Sequence, residues 1–246
     1  IIAQACSWVF GILFINRRHP TLHISPFCFR FDKAIFAQVI RIGVPIGIQQ
    51  ALFSLGAMLL VRLVNSFGSD FTAGYNAANK VDTIAFLPVQ SFSMAVTTFV
   101  GQNMGAGKPE RVRQGSRAAL WMGTAVCMGV ALALLAMGPW CMRLFSADAA
   151  VIDAGLAYLY RVLPFYFLFS LMYVLNGIMR GAGETLVPLA SSLVSLWLAR
   201  VPVAYALAHF FGGPALNFCF PIGWAVGLAI SLPYYLSGRW KRHRLV

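Results

Sequence analysis

Along this chain, uncharged apolar stretches alternate with short connectors rich in Lys and Arg. Residues 42–61, 83–107 and 118–142 carry no charge at all. Each matches the roughly 20 residues a helix needs to cross hydrocarbon. Residues 149–179 form a fourth such run with Arg161 inside it, and residues 185–210 a fifth, interrupted by Arg200. Gly212-Gly213-Pro214 then breaks the chain, and residues 215–238 make the last run. Between the third and fourth runs, Ser146 or Asp148 is placed to cap the following helix. The pattern predicts an all-α integral membrane protein with six transmembrane helices over 42–238. Residues 1–16 read as the end of a preceding, truncated span, and 17–41 as a connector whose segment 31–41 forms a short interfacial helix. Residues 239–246 are a basic tail.

Charge orients these spans. Connectors 17–41, 108–117, 180–184 and 239–246 hold fourteen of the nineteen Lys and Arg residues. Arg62, Lys80, Arg143, Arg161 and Arg200 fall elsewhere. An even number of spans puts the four rich connectors on one side, which the positive-inside bias assigns to the cytoplasm, together with the C-terminus. The net charge of +12 therefore reflects topology and not nucleic-acid binding. A hydrophobic share of 59% exceeds the roughly 45–50% of soluble domains. Five cysteines without a C-x-x-C pair read as buried spectators.

Polar residues inside the runs carry the functional signal. At about 100° per residue, Asn76, Asn79, Asp82, Thr83, Gln90, Ser93 and Thr97 fall on one arc of a helix that also contains Pro88. One such residue alone is adequately explained by an interhelical hydrogen bond, about 0.6 kcal/mol on average. Seven on one arc point to a water-accessible cavity. Gln49, Gln50 and Ser54 on the preceding span, and Tyr166, Ser170, Tyr173 and Asn176 on the span after next, supply two further polar faces. The expectation is that these faces converge on one wetted chamber. Asp82 is read as the one carboxylate within a span, near its outer boundary, either in an ion pair with Arg62, Arg161 or Arg200 or in ion coupling. Gly-x-x-x-Gly at Gly43/Gly47, Gly101/Gly105, Gly177/Gly181 and Gly223/Gly227 predicts close helix packing.

Other chemistries fail on their motifs. Gln102 stands where a P-loop needs its first glycine, and Pro109 follows Lys108. No H-E-x-x-H occurs, no carboxylates pair within a span, and the four histidines are scattered, so neither an enzyme nor a metal site is expected.

A repeated Gly-Ala-Gly, at Gly105-Ala106-Gly107 and Gly181-Ala182-Gly183, carries the strongest likeness. With Pro88, Gln90, Gly101, Gln102, Asn103, Arg111, Asn176, Gly177, Arg180, Glu184 and Arg200-Val201-Pro202, the chain resembles the multidrug and toxic compound extrusion (MATE) family over residues 40–238. The resemblance implies the C-terminal lobe of a two-lobed, twelve-helix transporter in a plasma (bacterial inner) membrane. Its partner would be an N-terminal lobe of the same polypeptide. Substrates would be drugs or amphipathic organic cations, exchanged for H+ or Na+ by alternating access, with no cofactor. Members that bind Na+ in this lobe use carboxylates on its first and fourth helices, where this chain has Gln49/Gln50 and Tyr173/Asn176. The coupling carboxylate is therefore expected in the other lobe. A lipid-linked saccharide flippase sharing the helical plan is the second reading, and a non-transporting scaffold the third. The flippase would need cavity cations for phosphate, and Arg161 and Arg200 lie off the polar faces.

Overall fold

The computed structural model of the chain describes residues 2–18 and 32–242. Its helices are α1 (Ile2–Arg18), α2 (Lys33–Asn65), α3 (Ser69–Gly105), α4 (Pro109–Arg143), α5 (Ala149–Val162), α6 (Tyr166–Gly181), α7 (Leu186–Leu193), α8 (Val201–Phe211) and α9 (Cys219–Leu236). No strand occurs among the described residues. Contacts divide the chain into two units, Ile1–Arg41 and Ile42–Val246. In the first, α1 buries none of its own residues and presents Trp8, Phe10 and Phe14 outward. The connector 19–31, including Cys28, lies outside the described residues.

Six helical stretches are long and apolar enough to cross a membrane, as the hydropathy pattern predicts. The chain is a multi-pass membrane protein. Three details differ from the pattern. Residues 33–41 do not form a separate interfacial helix but run into α2 without a break, because both segments favour helix and no turn is imposed between them. The fourth span bends at a 3₁₀ turn, Leu163–Phe165, since Pro164 has no N–H to continue the α-helical ladder. The fifth span widens into a π-helix over Val194–Arg200, directly before Pro202.

α3 is the centre of the second unit, packed against α4, α5 and α6. Its buried positions, among them Ala78, Val81, Ala85, Val89, Val96 and Val100, recur at three- and four-residue intervals. Of the apolar face expected from periodicity, Ala78, Val81 and Ala85 are buried, whereas Ile84 and Phe99 are exposed. Glycine sets the closest crossings. A methyl group on Gly74 would collide with the Val151 carbonyl of α5, and one on Gly181 with the Thr97 carbonyl of α3. Gly177 would meet the Ser93 carbonyl at 2.7 Å, and Gly223 the Ser195 carbonyl at 3.1 Å. Gly101 faces the Gly181 carbonyl at 3.3 Å. Gly43, Gly47 and Gly105 have nothing within 4 Å, so at those positions the small-residue motif packs nothing within the lobe. Asp148 caps α5 as predicted, accepting from the Ala150 N–H at 2.8 Å, and Ser146 Oγ accepts from the Asp148 N–H.

Candidate functional site

The polar arc of α3 divides by depth. Asn76, Thr83 and Gln90, seven residues apart in turn, are exposed along one line. Asp82 and Ser93 are buried, while Asn79 and Thr97 are half-buried. The exposed line passes mid-span at Gln90, three residues from the centre of a 37-residue helix. Pro88 sits half-buried beside it. On α2, Gln50 and Ser54 are exposed and Gln49 is half-buried, with Ser54 Oγ donating to the Gln50 carbonyl. These side chains form open surface on the lobe.

The third polar face does not join them. Tyr166, Ser170 and Asn176 are buried within the helix packing, and Tyr173 is half-buried against Phe169, ring centroids 4.5 Å apart. Ser170 accepts from Thr124 Oγ1 at 3.4 Å. Ser231 Oγ lies 2.8 Å from both Asn176 Oδ1 and Ser191 Oγ, and Ser191 donates to the Gly227 carbonyl. Ser195 donates to the Gly223 carbonyl at 2.7 Å. Ser93 and Thr97 behave alike: Ser93 Oγ donates to the Tyr173 carbonyl, Thr97 Oγ1 lies 2.9 Å from that of Gly177, and Arg180 Nη2 donates to Ser93 Oγ at 3.3 Å. The expectation of one chamber shared by three helices is thus corrected within this lobe. Periodicity identifies a polar face but not what lies opposite it, and here the opposite groups are α6, α7 and α9. The clearest groove in this unit is apolar, lined by Leu52, Leu193, Val194, Trp197 and Leu198, and it includes none of the predicted cavity residues.

Asp82 belongs to a buried polar core that spacing did not reveal. Its Oδ2 accepts from the Tyr158 hydroxyl at 2.9 Å, in place of the expected ion pair. Arg161, one of the candidate partners, donates instead to the Ala157 carbonyl. Arg200 is close enough to act electrostatically on both Asp82 and Tyr158. It lies at the heart of the packing and not away from it, its guanidinium 4.8 Å from the Phe220 ring and 5.9 Å from that of Trp224. Tyr166 packs edge-on against Trp224, and Tyr158 against Phe220. Asp82 Oδ1, Arg200 Nε, the Tyr166 hydroxyl and both side-chain polar atoms of Asn217 are buried without a protein partner. Such atoms require water or an ion, because an unmet buried polar group costs about 1–3 kcal/mol. Arg200 was visible as a charge inside a span. Tyr158 and Asn217 gave no signal, since neither recurs on a polar face. Asp153 also lies on a span helix, α5, but exposed.

The glycine-rich motif forms two helix stops. Gly107 and Gly183 take φ of +64° and +87°, a region that only glycine enters at little cost. Gln102 and Arg111 are exposed, and Arg180 is half-buried. Cys127 and Cys219 are buried, whereas Cys6 is exposed; all are free thiols. Among the described residues no group of three or more His, Cys, Asp or Glu side chains could hold a metal.

The MatE family model matches residues 45–206, and the chain belongs to that family. The chain is 26% identical to the probable multidrug resistance protein YpnP of Bacillus subtilis over all of its own length and 55% of that protein. It is also 26% identical to the probable multidrug resistance protein NorM of Thermotoga maritima, over 85% of this chain and 46% of that one. Among solved structures, the Vibrio cholerae MATE transporter VcmN in its bent form superposes with a TM-score of 0.83 at 20% identity, covering 98% of this chain and 55% of that one. A mutant of the same transporter gives a TM-score of 0.86, also at 20% identity, over 100% of this chain and 56% of that one. The chain therefore spans about half the length of the curated relatives it matches. The relatives are named as transport and resistance proteins, not as enzymes.

Proposed function

We propose that this chain is one lobe of a secondary-active multidrug efflux antiporter. It exports amphipathic, often cationic compounds in exchange for H+ or Na+, by alternating access against a second lobe of the same polypeptide. The observation that carries this reading is the exposed line Asn76–Thr83–Gln90, with its amide at mid-span. A polar side chain facing hydrocarbon there is costly, so the line faces water in a cleft between lobes. Gln50 and Ser54 extend the polar surface on α2. The multidrug names of the relatives at 26% identity support the substrate class.

The basic connectors at 108–117 and 239–242 face the cytoplasm in this reading. Asp82 is a candidate for ion coupling, since one of its oxygens has no protein partner. The flippase reading loses ground because Arg200 is buried against Phe220 and Trp224 and offers no cation to an open cavity. The test is efflux of a fluorescent organic cation from liposomes containing the full polypeptide, under separate Na+ and H+ gradients. Gln90→Leu is expected to lower the initial rate at least fivefold at unchanged membrane insertion and unchanged unfolding temperature. A wild-type rate in that variant would remove the cleft, and with it the physical basis of the proposal.

A further inference from the structure

Trp240 is almost completely buried, although it lies only four residues beyond the last apolar span. Its indole packs in one cluster with Val112 of α4, Met104 of α3 and Ile178 of α6, stacks on Tyr235 at 5.4 Å and 10°, and donates from Nε1 to the Tyr235 carbonyl at 2.9 Å. This side chain pins the short 3₁₀ turn Arg239–Arg242 to the end of the bundle where α3 stops and α4 starts. The residues flanking the pin are cations. Lys241 Nζ lies 5.5 Å from the Trp240 ring, and Arg239 acts electrostatically on Tyr234. Arg113, on the first turns of α4, acts on Tyr235, the residue that Trp240 stacks against. All three side chains are exposed, as are Lys108, Arg111 and Arg117 of the same helix end and its approach.

Little negative charge opposes them. Glu110 accepts from Gln114, and Glu184 is engaged by the Tyr234 hydroxyl and two backbone N–H groups of α7. The opposite end of the bundle is balanced, with Arg62 and Arg143 set among Asp70, Asp148 and Asp153. The concentration of cations lies at the level where the apolar spans of α4 and α9 begin and end, which is where lipid headgroups sit.

We infer that Arg113, Arg239 and Lys241, held together by the buried Trp240, form a binding site for the headgroup of an anionic phospholipid. Two guanidinium groups suit a phosphodiester bidentately, and the ammonium adds a point charge. Fixing Trp240 in advance removes part of the ordering cost that a free basic tail would meet on binding. The inference concerns a different surface from the proposed substrate cleft and stands independently of substrate or coupling ion.

The test uses the full polypeptide purified in neutral detergent. Its unfolding temperature is measured with added phosphatidylglycerol, with phosphatidylcholine, and with soluble glycerol phosphate. Phosphatidylglycerol is expected to raise the midpoint by several degrees over phosphatidylcholine, and glycerol phosphate to give no comparable rise. The combined variant R113Q/R239Q/K241Q is expected to lose at least half of that rise, with its midpoint in phosphatidylcholine unchanged. W240A, which keeps every charge, is expected to lose a similar share, whereas R62Q/R143Q retains the full rise. A full rise in the triple variant or in W240A would overturn the site. An equal loss in R62Q/R143Q would reduce it to net charge, and an equal rise with glycerol phosphate would make it a free-anion site; either result also overturns the inference.

Discussion

Twice in this lobe a helix ends in Gly-Ala-Gly, and the two stops share one backbone geometry. At the end of α3, Ala106 takes φ −82° and ψ 2°, Gly107 takes φ +64°, and the Lys108 N–H returns to the Asn103 carbonyl at 2.9 Å. At the end of α6, Ala182 takes φ −84° and ψ 2°, Gly183 takes φ +87°, and the Glu184 N–H returns to the Met179 carbonyl at 2.9 Å. Both are Schellman-type closures, in which the N–H two residues past the helix satisfies an orphan carbonyl. The surroundings differ completely. Gly105 and Ala106 are exposed, whereas Gly181 and Ala182 are buried, Gly181 against the α3 backbone. Lys108 points to solvent, while Glu184 caps α7 and holds Tyr234. A local sequence thus encodes the turn in both places, but only the second copy is also a packing surface.

Substitutions at paired positions test that distinction, the largest effect coming first. Gly181→Val should destabilise the protein by about 3 kcal/mol, because two backbones would have to separate. Gly105→Val should cost less than about 1 kcal/mol, since space is open there. Thermal unfolding of the full polypeptide in detergent compares the pair, and equal losses would break the distinction. Glu184→Ala removes a cap and the partner of a tyrosine hydroxyl, for about 2 kcal/mol. Lys108→Ala should stay within about 0.5 kcal/mol by the same assay. The smallest contrast is the sharpest. Gly107→Ala and Gly183→Ala should each cost about 1 kcal/mol, because both force a methyl group into left-handed backbone whatever the surroundings. Unequal values would show that packing enters even there.

The turns and spans were legible because they are written locally. Asp148 followed by an apolar run, Gly212-Gly213-Pro214, and the two Gly-Ala-Gly stops each specify their own backbone. The six spans follow from apolar length alone. The bend at Pro164 was open to the same reasoning, through a missing N–H, but a single hydropathic run from 149 to 179 concealed it. The site was less legible. Asn76, Thr83 and Gln90 share a face with Asp82 and Ser93 by periodicity, yet neighbouring helices cover the latter two and leave the former three uncovered. Asn176 and Ser170 carry the same polar signature as Gln50, but their partners, Ser231 and Thr124, come from distant parts of the chain. Helical spacing has no information about such partners.

The π-helical segment allows the fifth span something that a regular helix does not. Ser195 bonds the Gly223 carbonyl while Arg200, five positions later, stacks over Phe220 and Trp224, so both residues address α9. Five steps of an ordinary α-helix would turn them about 140° apart and point one of them elsewhere. Closing rings from i to i+5 brings residues five apart back into line. The span thereby changes phase partway through, and the same neighbour is met by two sides that a rigid 3.6-residue repeat would keep separate.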